Sequence, residues 1–207
     1  MKPNHADLSE KFISRGKKVD WHNETLSFLR EKRDLTKEKL PEWEDLRTTA
    51  AAIKKHTLDH LPDYLEKFEE QATENGMHVK WAWDGMEFNE IIAAILKENK
   101  VDSIVKSKSM LTEECGLNPY LEKKGFRVVD TDLGERIVQL RKEHPSHIVV
   151  PAVHLKKEEV SETFHEFLDT EEGNFDPPYL AAAARDSLRK DFIEAGAAIT
   201  GVNFGVA

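Results

Sequence analysis

Residues 103–130 read SIVKSKSMLTEECGLNPYLEKKGFRVVD. The stretch begins and ends on short β-rich runs, Ser103–Lys106 and Phe126–Asp130, with a polar loop and a helical candidate at Asn118–Lys124 between them. Antiparallel strands can be joined by a few residues, whereas parallel strands need a crossover of about a dozen or more. The spacing here is that of a crossover. Further strand candidates stand outward of it at His78–Ala82, His147–Val150 and Ala197–Thr200. The first four runs start at residues 78, 103, 126 and 147, separations of 25, 23 and 21 residues. That is the size of a compact strand–helix–strand unit. Helical candidates at Gly85–Asn99, Leu133–Glu143, Lys156–Leu168 and Tyr179–Ala195 alternate with the strands. The expected fold class is α/β, with a mainly parallel open sheet and helices on both faces.

Upstream of Gly76 the pattern differs. Residues 22–35 read as a first helix carrying Leu26 and Leu29, and Pro41 marks a break of the kind tolerated at the start of the next helix. From Trp43 to Asn75 the apolar positions include Leu46, Ala50, Ile53, Leu58, Leu61, Leu65 and Phe68. They suit one long amphipathic helix, or two helices meeting near Pro62. Asn75-Gly76 then serves as a helix stop. The expected organisation is an N-terminal helical region over 1–75 and an α/β domain over 76–207. Trp81 and Trp83 flank Ala82 in the first strand candidate, and core packing is their expected role.

Composition excludes several classes. The chain has 207 residues, of which 39% are hydrophobic, and a chain of this length buries about 70% of its unfolded surface without help from disulfides or metal. Its one cysteine, Cys115, excludes an internal disulfide, a self-contained iron–sulfur cluster and a Cys-rich zinc site. A reducing, cytoplasmic setting fits. The net charge of −9 argues against nucleic acid as a partner. No apolar run approaches the roughly 18 residues of a membrane span, and the polar start, Met1–Glu10, lacks the apolar core of a secretory signal. Charge is uneven: residues 1–40 carry a net +3 and the other 167 a net −12. Arg15, Lys17, Lys18, Arg30, Lys32, Arg33, Lys37 and Lys39 form either a docking arm for an acidic partner or an ordinary solvated helix face.

Ligands of open parallel sheets sit at the carboxyl ends of the strands. The loop after Ser103–Lys106 is Lys106-Ser107-Lys108-Ser109-Met110. Its lysines and serines, ahead of a helix, suit a phosphate or carboxylate, although it lacks the glycines of a P-loop. It also reads as a plain polar loop with a serine helix cap. Glu113 and Glu114 follow; beside two lysines a carboxylate can serve as nucleophile or general base, or simply complement a helix dipole. In the segment from Pro145 to His154, His147 and His154 fall at opposite ends of the strand candidate. They are therefore not placed to share one metal, and His154, at the carboxyl end, is the candidate for anion binding or proton transfer. Finally, Gly201 and Asn203 offer close backbone approach and a paired donor and acceptor. The chain stops at Ala207 in an apolar run, which leads us to expect a longer parent protein. Cys115 has acidic neighbours, Glu113 and Glu114, which raise a thiol's pKa and speak against a catalytic thiolate, while Lys106 or Lys108 beside it would favour one.

The segments Lys106–Met110 through Glu114, Pro145–His154 and Thr200–Ala207 occur in the same order in the lactate-utilisation protein B family. Arg47–Leu58 resembles that family's early helix and Ala184–Arg189 its later one. The chain resembles the family's N-terminal LUD domain over about residues 20–207. The resemblance implies a NagB/RpiA/CoA-transferase-like α/β fold, incomplete here at its C-terminus. It also implies an electron-transfer subunit acting with lactate-utilisation proteins A and C in oxidising L-lactate to pyruvate. Two 4Fe–4S clusters are implied in a C-terminal region beyond these residues, with no cofactor in this portion. Homodimerisation would cover the exposed sheet edge. Two further readings stand beside it: an anionic small-molecule-binding or transferase-like domain built on Lys106–Ser109, and a scaffold that only docks partners.

Overall fold

The computed structural model describes residues 4–14, 16–147 and 149–201. The chain divides into two compact units, residues 1–81 and 82–207. The first is helical: α1 (His5–Ile13), α2 (Lys17–Lys37), α3 (Trp43–Asp59) and α4 (Leu61–Glu74). The expected split near Pro62 falls at His60, with Pro62 in the first turn of α4, where its missing N–H costs nothing. The short helix α1 has no counterpart in the sequence reading. Its start is a capping box, Asn4 and Asp7 each accepting the other's backbone N–H, a polar signal without a strong apolar period.

The second unit alternates. Its elements are α5 (Gly85–Glu98), β1 (Ser103–Lys106), α6 (Met110–Glu114), α7 (Leu117–Lys123), β2 (Arg127–Asp130), α8 (Leu133–Leu140), α9 (Lys157–Leu168), α10 (Pro177–Glu194) and β3 (Ala197–Ile199). The three strands form one parallel sheet in the order β2-β1-β3. Side chains alternate across the pleat. Ile104 and Val128 pack with Ala93 and Leu96 of α5 and with Leu117 and Leu121 of α7. Val105 and Val129 face the other way, onto Leu188 of α10. Behind that layer Ile137, Leu155, Phe164, Leu180 and Ala184 form a second core. Helices therefore cover both faces, as expected of buried parallel strands.

Local chemistry places the breaks. Asp84, Ser109 and Asp176 cap α5, α6 and α10 with side-chain oxygens. Gly116, at φ +63°, turns the chain between α6 and α7, a left-handed position that favours glycine.

Two expected strands are not strands. Residues 78–82 form no strand, and Trp81 and Trp83 are 52% and 98% exposed rather than in a core. A strand needs a ladder partner, and Asp84 takes the chain directly into α5. Around His147–Val150 the described residues form bends. The His147 ring accepts the N–H groups of Val149 and Val150 at 3.1 and 3.3 Å, so donors that a sheet would need are satisfied locally. Ser146 closes the loop onto the Pro151 carbonyl. No described helix is long and apolar enough to cross a membrane.

Candidate functional site

β1 lies between β2 and β3, so the chain leaves it towards one neighbour and the other neighbour is reached later by way of α8, α9 and α10. Such a switch in strand order opens a crevice at the carboxyl end of the central strand. The sequence puts charge there: β1 ends on Lys106 and β2 on Asp130, and the two are register partners.

Lys106 is fully buried. Its Nζ lies 2.9 Å from Glu113 Oε1, 2.8 Å from Asp130 Oδ1 and 3.8 Å from Glu135 Oε2. Burial pushes the ammonium's pKa down, but contact with Asp130 and Glu113 outweighs it and holds Lys106 above the ordinary lysine value. It is a fixed positive charge. Burial lifts Asp130 above the usual carboxylate range against the pull of Lys106. Burial also lifts Glu135, with neighbouring Asp130, Glu113 and Asp132 adding to the rise and Lys106 opposing it. One cation thus serves three carboxylates, two of which resist ionisation.

The surrounding polar groups fix this arrangement. Asn118 Nδ2 donates to Asp130 Oδ2 at 2.8 Å, and the Thr131 hydroxyl donates to the Lys106 carbonyl. On the outer edge of β2 the Gln139 side chain accepts from the Asp130 N–H and donates to the Val128 carbonyl. It substitutes for a strand partner and blunts that edge. A cleft of about 440 Å³ opens over the cluster, lined by Glu113, Asn118, Asp130, Glu135 and Gln139 among others.

A second cleft, of about 740 Å³, lies at the carboxyl ends of β1 and β3. Lys108, Ser109, Thr200 and Gly201 supply its polar lining, and Phe88, Ile92, Met110, Leu111, Val149 and Ile199 its apolar one. A Cβ on Gly201 would stand 2.6 Å from the Ser109 Cβ, so only glycine allows this approach. The Lys108 ammonium donates to the Val149 carbonyl, Ser107 donates to the Thr200 hydroxyl at 2.8 Å, and the buried Ser109 caps α6.

The structure thus gathers Lys108, Ser109 and Gly201 around one cleft, with Ser107 tied to its wall. Lys106 turns instead into the carboxylate cluster beside Glu113. Glu114 is exposed. His154 lines neither cleft: its ring meets Ser146 Oγ at 2.8 Å through Nδ1 and Glu143 Oε2 at 3.0 Å through Nε2. Burial pulls Glu143 up, yet Arg141 and His154 outweigh it and hold its carboxyl below the ordinary value. Asn203 lies outside the described residues.

Asp130, Asn118 and Glu135 were not among the residues singled out by sequence. A signal for Asp130 exists: neighbouring parallel strands, each ending on a charge of opposite sign. None exists for Glu135, since an acidic residue in the first turn of a helix is ordinary.

Known proteins resemble this chain over most of its length. A family model described as the LUD domain matches residues 65–207. Lactate utilization protein B of Oceanobacillus iheyensis is 44% identical over 170 residues, 82% of this chain and 35% of that protein. The protein of the same name from Geobacillus thermodenitrificans is 46% identical over 171 residues, 82% of this chain and 36% of that one. An Escherichia coli protein named Uncharacterized electron transport protein YkgF is 40% identical over 170 residues, 82% of this chain and 36% of its own length. The chain spans just over a third of the length of these relatives. No solved structure matches it.

Proposed function

The chain belongs to the LUD-domain family, and on that premise we propose that it is the LUD domain of an electron-transfer subunit for lactate utilisation. The observation that carries this reading is its identity of 40–46% to relatives named for lactate utilisation or electron transport. In the finer form of the proposal, the whole protein works with lactate-utilisation proteins A and C in converting L-lactate to pyruvate. Two 4Fe–4S clusters in a region outside these residues would carry the electrons. This chain's own residues do not fit such a cluster, because Cys115 is its one thiol and a cluster takes about four. Its share of the work is then to fold, to bind and to present a polar site at the end of β1. A free thiol suits a reducing, cytoplasmic setting.

Disruption of the gene in its host tests the reading. Growth on L-lactate as sole carbon source should fail while growth on pyruvate persists. Undiminished growth on lactate would overturn it.

A second reading, anion binding, is supported by the cleft at β1 and β3. Lys108 supplies a positive charge, and Gly201 permits close approach of backbone. Titration with lactate, pyruvate, a phosphosugar and an acyl-CoA should give saturable binding to one of them that weakens in Lys108→Ala. No binding, or binding indifferent to that substitution, removes this reading and leaves the lactate-utilisation role untouched.

A further inference from the structure

The cleft at the carboxyl ends of β1 and β3 has two kinds of wall. One is apolar. Phe88 and Ile92 stand one turn apart on α5, and with Ile199 they are half-buried against the first core, so this wall is backed by packed side chains. Leu111 and Val149 border the same space and are 57% and 67% exposed. Apolar area gathered at one opening is favourably covered by the apolar body of a ligand. The cleft's volume, about 740 Å³, falls in the range of pockets that enclose a drug-sized molecule. Lactate or pyruvate, each with a single methyl group, would leave most of this wall wet.

The other wall offers protons without acceptors. The Lys108 ammonium has three to give. One goes to the Val149 carbonyl, and Lys108 has no carboxylate partner among the described residues. The Thr200 hydroxyl accepts from Ser107, which leaves its own proton free. The buried Ser109 hydroxyl accepts the Thr112 N–H at 3.4 Å and donates to no described acceptor. The whole chain carries a net charge of −9, yet among the described lining residues there is no carboxylate and Lys108 is the one charge. A single cation balances a single negative charge. A phosphate monoester, at about −1.5 to −2 near neutral pH, would keep an excess.

We infer that this cleft takes a monocarboxylate with an apolar body, its head on Lys108, Ser109 and Thr200 and its body along Phe88, Ile92 and Leu111. The inference rests on the anion reading of the same cleft and adds the ligand's class: singly charged, and selected by the size of its apolar part. The head fixes orientation through charge-assisted hydrogen bonds, and the body supplies the discrimination between one acid and another.

Calorimetric titration of the whole chain with acetate, butanoate and hexanoate tests this at fixed ionic strength, with hexanamide as the neutral control. Affinity should rise about threefold for each methylene added, roughly a hundredfold from acetate to hexanoate. Hexanamide should bind about tenfold more weakly than hexanoate, having lost the charge that Lys108 meets. Leu111→Ala, at an exposed position, should weaken hexanoate about threefold and leave acetate unchanged. Affinity that is flat along the series, with acetate bound, would overturn this inference and leave the anion reading standing. So would a hexanoate affinity untouched in Leu111→Ala, since the body would then lie elsewhere. Binding by none of the acids, or hexanamide as tight as hexanoate, would overturn both.

Discussion

The helical unit and the α/β unit use apolar residues of the same kinds in different ways. On α3, Leu46, Ile53 and Leu58 are 51%, 62% and 69% exposed, whereas Ile104, Leu117 and Leu121 in the second unit are fully buried. Neither α1 nor α3 contains a buried residue. Both units show helical periodicity, so periodicity is not what separates them. The second unit has a sheet, and a sheet offers two faces on which helices can lay an apolar stripe. The helices of the first stand instead on ion pairs such as Lys55–Asp59, on intrinsic propensity and, in α1 alone, on a capping box, which sum to little per residue.

The sharpest way to break this contrast is at Lys106. Lys106→Met keeps the volume and removes the one cation among Glu113, Asp130 and Glu135. Removal of one partner from a buried ion cluster costs roughly 3–5 kcal/mol. The urea midpoint of the α/β unit should fall accordingly. An unchanged midpoint would mean that the carboxylates have found water or protons instead. Phenylalanine allows a matched pair across the two units. Phe164 is fully buried and Phe28 is 52% exposed. Phe164→Ala should cost about 3–5 kcal/mol, and Phe28→Ala should stay within about 0.5 kcal/mol. Equal losses would show that the helical unit has a core of its own.

Proton linkage separates residues within the α/β unit. Asp130 and Glu135 are raised above the ordinary carboxylate range, chiefly by burial. A raised carboxyl keeps its proton in the folded state at a pH where the unfolded chain has lost it. Their contribution is therefore greatest below the unfolded value and is lost as pH rises through the folded one. Glu143 is lowered by Arg141 and His154, so its contribution is present above the unfolded value and lost as pH falls through the folded one. Unfolding midpoints across mildly acidic to neutral pH should decline for the parent chain and flatten in Glu135→Gln. A decline of equal steepness in that variant would assign the linkage elsewhere.

The sheet was readable because Ser103–Lys106 and Phe126–Asp130 combine β-branched residues with crossover spacing, and both features arise from burial between layers. His147–Val150 has the same composition and failed, since the His147 ring satisfies the following N–H groups and no sequence pattern announces a ring nitrogen as an acceptor. The site divides similarly. Lys106 and Glu113 could be found from their place after a strand. Their partners Asp130, Asn118 and Glu135 come from three other segments, and only the register of β1 on β2 brings the first of them across. Lys106 and Lys108 stand two residues apart in one polar loop, yet one is buried among carboxylates and the other bonds a carbonyl. Alternation along a strand cannot separate them, since residues two apart share a face; β1 ends on Lys106 and Lys108 lies beyond it, and the sequence does not mark that end.

The smallest expected effect concerns the helix caps. Asp84 accepts the N–H groups of Met86 and Glu87 at 2.9 Å each and starts α5, which carries Ala93 and Leu96 into the core. Asn4 accepts the Asp7 N–H at 2.9 Å and starts α1, which buries nothing. Loss of a cap costs typically about 1 kcal/mol in either setting. The two losses should nevertheless appear in different measurements. Fraying of α5 exposes core side chains, so Asp84→Ala should lower the urea midpoint of the α/β unit. Fraying of α1 exposes no core, so Asn4→Ala should speed amide exchange over residues 5–13 and leave that midpoint where it was. A midpoint that moved equally in both variants would join the two units into one cooperative structure, because a local loss can reach a global transition only through contacts that unfold together.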